Sequence, residues 1–389
     1  MNKDFVEEEI TSRREDNLYR KINTYAPREG YVEKEGRKLL NLSSNNYLDL
    51  INHPQVKESA REALEEYGAG AGASRLVTGG LPVHDKLEER LAEHKNYETA
   101  LLFGSGYLVN TGVIPAVVGR NDYVVADRLA HASLIDGILA SRANFYRFDH
   151  NDVDDLARRL DRVPEDQRCL VVTESVFSMD GDRAPLGDIC QLARKHEALV
   201  LVDEAHATGV FGPCGSGLVA ENNLEDMVDF TVVTLSKALG GYGGAVVCSE
   251  RMREFLVNKA RSFIYSTAPA PPVAGGVLGA LDVLEEHPGR GEKLLRRAEN
   301  FRNRLQEAGL NTGESESQIV PVIVGDSEKT LNFSEKLEER GLLGVPIRPP
   351  TVPDSTARVR FSISLAHPEE KITAAAEIIV QSAKELEIL

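Results

Sequence analysis

The sequence has no tryptophan, only 4 methionines and 4 cysteines, and 6% aromatic residues in 389. So few cysteines exclude a disulfide-stapled secreted scaffold. Cys169, Cys190, Cys214 and Cys248 are scattered and form no CxxC pair, so reduced, mostly buried thiols are expected rather than a metal site. No apolar run is long enough to cross a bilayer. The opening residues, MNKDFVEEEITSRRED, contain no apolar signal core, which points to a cytoplasmic protein. Positive charge is also in deficit. Against 61 acidic residues stand 45 basic ones, and a formal net charge of −16 argues against unaided binding to nucleic acid or an anionic membrane. What remains is an ordinary globular composition, 42% hydrophobic and 27% charged, on a chain long enough for two or three domains or subdomains. There is no internal repeat and no low-complexity block.

Three segments are expected: an N-terminal arm over 1–48, a large domain over 49–286 and a smaller α/β domain over 287–389. In the arm, Ile10 to Tyr25 has the look of a charged helix carrying Arg13, Arg14, Arg20 and Lys21, and Leu39 to Leu42 that of a short strand. The large domain alternates helical periods with short apolar runs at Ala100–Phe103, Tyr123–Ala126, Leu170–Thr173, Ala198–Val202, Phe230–Val233 and Ala245–Cys248. Strands buried on both faces and separated by helices imply a mostly parallel sheet covered by helices, an α/β fold. In the last segment, strands are expected at Ile319–Val324 and Arg358–Ser362. Helices are expected at Glu292–Ala308, Leu331–Arg340 and Glu369–Leu386.

Ligands of parallel sheets collect at the carboxyl ends of the strands. Polar groups follow one strand after another: Asp127 and His131; Glu174, Ser178 and Asp180; Asp203, Glu204 and His206; Thr234, Ser236 and Lys237. Lys237 lies just past a buried run, among hydroxyls and ahead of Gly240, Gly241, Gly243 and Gly244. Such a lysine suits Schiff-base chemistry with pyridoxal phosphate, although taken alone the stretch also reads as a surface lysine beside a flexible loop. Asp203 suits the partner of a pyridinium nitrogen, whose proton makes the ring an electron sink. His206 suits the ring's phenolic oxygen, and His131 the ring face and the substrate carbonyl. The turn Gly104-Ser105-Gly106-Tyr107 after an apolar run offers free N–H groups at a helix start, where Gly106 and Tyr107 with Thr234 and Ser236 can hold a phosphate. A zinc site is the competing use of Asp203 and His206; their spacing in a strand-end loop is poor for paired ligands and no cysteine joins them, so no metal is expected.

Four stretches carry a resemblance to a known family: VVTESVFSMDGD (Val171 to Asp182), LVDEAHATGVFG (Leu201 to Gly212), TLSKALGG (Thr234 to Gly241) and IYSTAPAP (Ile264 to Pro271). Together they resemble the α-oxoamine synthases, fold-type-I pyridoxal phosphate enzymes that join an amino acid to an acyl thioester with loss of carbon dioxide. The likeness runs from about Arg13 to the C-terminus. It implies a mostly parallel seven-stranded sheet with flanking helices, a smaller C-terminal domain and a homodimer. IRPPTVP (Ile347 to Pro353), ARVRFSIS (Ala357 to Ser364) and HNDV (His150 to Val153) resemble the branch that uses L-alanine and a pimeloyl thioester, on coenzyme A or an acyl carrier protein, in biotin biosynthesis. Glycine- and serine-using members of the family, and a non-catalytic partner subunit, are the rival readings.

Matched residue by residue, the resemblance implies catalytic roles for Lys237, His131 and Asp203. Cofactor contacts fall on Gly106, Tyr107, His131, Ser178, Asp203, His206, Thr234 and Lys237, with Thr267 donated across the dimer. Substrate contacts fall on Arg20, Asn45, His131 and Thr351, and on Arg360 for the amino-acid carboxylate, a bidentate task suited to guanidinium.

Overall fold

Valines dominate the central strands: Val171 and Val172, Val200 and Val202, Val232 and Val233 are all buried, as β-branched side chains packed on both faces of a sheet should be. The computed structural model describes residues 4–389. In chain order the strands are β1 (Ala26–Arg28), β2 (Tyr31–Lys34) and β3 (Arg37–Asn41). Next come β4 (Thr99–Phe103), β5 (Tyr123–Asp127), β6 (Asn144–Phe148), β7 (Cys169–Glu174), β8 (Leu199–Asp203), β9 (Phe230–Thr234) and β10 (Gly244–Cys248). The last are β11 (Ile319–Gly325), β12 (Leu342–Leu343), β13 (Val345–Ile347) and β14 (Ala357–Ser362).

The chain divides into two units. The larger comprises Asn45–Ser178 and Arg183–Lys293. Its seven-stranded sheet has the order β4-β10-β9-β8-β7-β5-β6. Strands β9, β8, β7, β5 and β6 run parallel, and β10 is antiparallel to both β9 and β4. Reversal at β10 therefore leaves β4 pointing the same way as β9, so six carboxyl ends share one edge. The mostly parallel seven-stranded sheet expected above is what is found. Strand β6, NFYRF, is the member the apolar runs did not mark; only Phe148 in it is buried.

The other unit comprises the chain up to Ser44, Met179–Asp182 and Leu294–Leu389. It holds a sheet of order β1-β2-β3-β12 and a second of order β11-β14-β13. Residues 37–41 thus fall with the C-terminal segment, because β3 pairs in parallel with β12, Leu40 opposite Leu342. The N-terminal helix corrects the expectation of Ile10 to Tyr25: it spans Asp4–Glu15. Asn17 takes a left-handed φ of 56° and Leu18 N–H bonds back to Arg13 O at 2.7 Å, a stop that asparagine tolerates. Arg20 therefore lies beyond the helix and is exposed.

Candidate active site

Register brings the strand ends together. Gly244 opens β10 opposite both Thr234, the end of β9, and Phe103, the end of β4. That crossing sets the turn after β4 against Thr234: a Cβ on Gly106 would lie 2.4 Å from Thr234 Oγ1, and one on Gly244 would lie 2.6 Å from Gly106 N. Only hydrogen fits at either position. The helix Gly106–Val117 starts there, capped by Ser105, whose Oγ accepts the Leu108 N–H at 3.2 Å. This cap leaves the N–H groups of Gly106 and Tyr107 at the helix mouth, where an anion is favoured. Tyr107 itself is exposed, and its hydroxyl donates to Asp136.

Asp203 ends β8 and is buried. Its Oδ1 accepts the Ala205 N–H at 2.9 Å, and its Oδ2 accepts Asn110 Nδ2 at 2.8 Å. Asn110 gives its second amide proton to Ser133 Oγ at 2.9 Å. The Ser133 hydroxyl is then left to donate to His131 Nδ1, 2.8 Å away, and the Ser133 N–H points to the same nitrogen at 3.2 Å. With Nδ1 accepting, a neutral His131 carries its proton on Nε2. Burial of the imidazole lowers its pKa, the nearby Asp203 charge opposes that, and Lys237 adds to it, so the ring is neutral near pH 7 although the residue has open surface.

Glu174, at the end of β7, accepts the His131 N–H at 2.7 Å. Its pKa is raised, first by burial and then by the neighbouring Asp203. Burial and the neighbouring Asp203 charge both favour the neutral carboxyl at Glu174.

Lys237 Nζ lies 2.7 Å from His206 Nε2. His206 Nδ1 lies 2.8 Å from the hydroxyl of Tyr47, which donates to Asn45 Oδ1 at 3.0 Å. The loop carrying His206 is pinned from beneath. Glu204, fully buried, pairs with Lys95, which also donates to Thr208 Oγ1 at 2.9 Å and Ser216 O at 2.6 Å.

The larger unit thus contains Asn45, Gly106, Tyr107, His131, Ser178, Asp203, His206, Thr234, Lys237 and Thr267. Hydrogen bonds link Asp203 through Asn110 and Ser133 to His131, and Lys237 through His206 and Tyr47 to Asn45, while Gly106 lies close against Thr234. Ser178 is buried four residues beyond β7. Thr267 is exposed, beside Ala268, whose N–H bonds Ala73 O at 3.0 Å. Two strand-end acids serve elsewhere. Asp127 is engaged by His150 Nδ1 at 3.0 Å and by the Leu129 and Asn151 N–H groups. Asp180 lies in the other unit and pairs with the buried Arg358.

Arg20, Thr351 and Arg360 belong to that other unit. Arg360, on β14, is buried, and its Nε has no hydrogen-bond partner among the described residues. Arg348 follows β13, and its pKa is lowered by burial and by the like charge of Arg20. Thr351 is exposed and donates its N–H to Arg348 O at 3.1 Å.

The residues fit pyridoxal phosphate on their own chemistry: an amine beside an imidazole, a buried carboxylate with two donors, and a helix mouth that accepts no side chain. Comparison with known proteins agrees. The model of the family "Aminotransferase class I and II" matches residues 37–379. An 8-amino-7-oxononanoate synthase of Geobacter sulfurreducens is 46% identical over 98% of both chains, and one of Symbiobacterium thermophilum is 42% identical over 99% of both. Among solved structures, a serine palmitoyltransferase variant from S. paucimobilis with a bound PLP–myriocin aldimine superposes with a TM-score of 0.93 at 31% identity, covering 99% of this chain and 98% of its own. The 8-amino-7-oxononanoate synthase of Francisella tularensis gives a TM-score of 0.78 at 26% identity, covering 89% of this chain and 98% of its own. The chain belongs to the class I and II aminotransferase family of fold-type-I enzymes and, within it, to the 8-amino-7-oxononanoate synthases. Among the described residues no helix is long and apolar enough to cross a membrane.

Proposed function

We propose that this chain is a pyridoxal-phosphate-dependent acyltransferase of biotin biosynthesis. It joins L-alanine to a pimeloyl thioester, on coenzyme A or an acyl carrier protein, and releases 8-amino-7-oxononanoate, carbon dioxide and the free thiol. The observation that carries this reading is the placement of Lys237 Nζ 2.7 Å from His206 on the strand edge that also bears Asp203 and His131.

Pyridoxal phosphate supplies, when bound, a carbonyl that an amine can capture and a ring that draws electrons from the bonds at the amino-acid Cα. Lys237 would be the amine that binds the cofactor's carbonyl, and its Nζ would take and return the proton at the alanine Cα. Asp203 would face the ring nitrogen and favour a proton there, and Asn110 and the Ala205 N–H hold the carboxylate in place. His206 addresses the phenolic oxygen. The Gly106 and Tyr107 N–H groups and the Thr234 and Ser236 hydroxyls, together with Thr267 of a second copy, would hold the phosphate, and Ser178 would contact the cofactor. His131, neutral and with its proton on Nε2, donates to the carbonyl of the newly joined ketone and so favours loss of carbon dioxide. Arg360 takes the alanine carboxylate; a buried guanidinium whose Nε has no hydrogen-bond partner among the described residues is suited to a carboxylate ligand. Arg20, Asn45 and Thr351 contact substrate.

A homodimer with shared sites fits the surface around Thr267. Tyr265, Val77 and Leu76 are 71%, 74% and 51% exposed in the single chain, and the two segments carrying them are tied by the Ala268–Ala73 bond. Turnover with alanine, glycine and serine, each against pimeloyl-coenzyme A and a pimeloyl carrier protein, tests the reading. Mass-spectrometric detection of 8-amino-7-oxononanoate from alanine alone is expected. A product only from glycine or serine assigns the chain to another branch. Lys237→Ala is expected to lose turnover by about 10³-fold or more; wild-type rates in that variant overturn the mechanism.

A further inference from the structure

Tyr47 is fully buried, with its hydroxyl between two polar partners: His206 Nδ1 at 2.8 Å and Asn45 Oδ1 at 3.0 Å. On the far side of the imidazole, Nε2 faces Lys237 Nζ at 2.7 Å. With Lys237 as an ammonium and Asn45 Oδ1 as the terminal acceptor, donors and acceptors along this row run in one direction. A lysine ammonium only donates, and an asparagine Oδ1 only accepts. A neutral imidazole has one N–H and one lone pair. Lys237 therefore donates to Nε2, Nδ1 carries the ring proton and donates to the Tyr47 oxygen, and Tyr47 spends its single proton on Asn45.

We infer that Tyr47 is a positioning residue that sets the tautomer of His206 and so decides what Nε2 offers to the group in front of it. The role depends on a phenol being both donor and acceptor. An amine in front of Nε2 needs a lone pair there, which the arrangement above supplies. An acceptor oxygen in the same place, such as the phenolic oxygen of the proposed cofactor, needs a proton on Nε2. The ring then takes its Nδ1 bond from Tyr47, whose hydroxyl turns from Asn45 to the imidazole. His206 can change tautomer without gaining charge because the buried hydroxyl answers either demand. Phenylalanine keeps the shape of the ring and answers neither.

Nitrogen-15 NMR of the cofactor-free protein near pH 7, with the His206 signals assigned by their loss in His206→Gln, reads the tautomer directly. The wild-type ring is expected to carry its proton on Nδ1, and Tyr47→Phe to show a mixture. A wild-type ring protonated on Nε2 alone, or on both nitrogens, overturns the inference whatever the cofactor does. The second measurement rests on the pyridoxal phosphate reading. Folded Tyr47→Phe, checked by thermal unfolding, is expected to bind pyridoxal phosphate about tenfold more weakly, the effect of one lost buried hydrogen bond. The pH midpoint of its visible band should also move. Unchanged affinity together with an unchanged midpoint overturns the inference. Failure of the wild-type protein to bind pyridoxal phosphate instead overturns the function reading, and the tautomer measurement still decides the role of Tyr47.

Discussion

Asn110 donates to Asp203 across 93 residues of sequence, Nδ2 to Oδ2 at 2.8 Å. It does so from the same helix whose first turn, Gly106 and Tyr107, opens toward the phosphate position. One rigid element thus fixes both ends of the proposed cofactor site. Asn110 is buried, and its two amide protons serve Asp203 and Ser133. Replacing it by alanine removes a hydrogen bond to a charged group, about 1.5–3 kcal/mol. A loss of about ten- to a hundredfold in kcat is expected, with KM for alanine little changed, because the effect is on ring protonation rather than on substrate binding. Steady-state kinetics of Asn110→Ala check it; a change confined to KM would contradict the role.

Arg360 is expected to behave in the opposite way. It is buried on β14 and its Nε has no hydrogen-bond partner among the described residues, while its neighbour Arg358 is neutralised by Asp180. Arg360→Lys keeps the charge but loses the planar fork, and KM for alanine should rise by about ten- to a hundredfold. Kinetics with varied alanine at saturating thioester measure this, and an unchanged KM would remove Arg360 from the carboxylate site.

The Lys95–Glu204 pair sits under the loop that carries Asp203 and His206, and both side chains are at most 1% exposed. Lys95→Met strands a buried carboxylate and is expected to cost about 3–5 kcal/mol of stability. Adding Glu204→Gln to that variant should recover part of the loss, since the amide oxygen can still accept the Val219 N–H now bonded to Glu204 Oε1 at 2.8 Å. Urea unfolding of the single and double variants gives both values. A double variant no more stable than the single would show that the stranded charge is not the cause.

His367 should make stability depend on pH. Its Nε2 lies 3.0 Å from Asn41 O and its Nδ1 accepts the Ser364 N–H at 3.3 Å, so the buried ring is neutral with both nitrogens engaged. Burial lowers its pKa from 6.5 to about 4. The unfolded ring binds a proton more readily than the native one, so acid favours unfolding. The contribution of His367 is full above about pH 6.5 and is lost as the pH falls toward 4, by roughly 3 kcal/mol in all. Denaturant unfolding at pH 7 and pH 4.5, for wild type and His367→Gln, should show a smaller pH dependence in the variant. Equal dependence in the two would assign the acid sensitivity elsewhere.

Some elements escaped the sequence for identifiable reasons. The helix Pro271–Glu286 contains Gly275, Gly276 and Gly279, which lower helix propensity and hide its period. Tertiary packing accounts for them: a Cβ at Gly275 would lie 2.5 Å from Ser59 O on the helix Pro54–Tyr67. Strand β6 has a mostly polar, half-exposed face because it lies at the edge of its sheet. Asp127 and Asp180 looked like members of the strand-end set but are taken up by His150 and Arg358.

By itself the sequence determined the sheet and nominated the candidate reactive groups, because both are written locally. Valine-rich runs specify strands buried on two faces, and the residue just past each run must appear at one edge of a parallel sheet. Which of those groups lie together was decided only by the tertiary structure. Asn110, Ser133 and Tyr47 carry no local mark of their role, since a hydrogen bond depends on a partner's position and a proton's direction. Both are fixed only when strands far apart in the chain come into register.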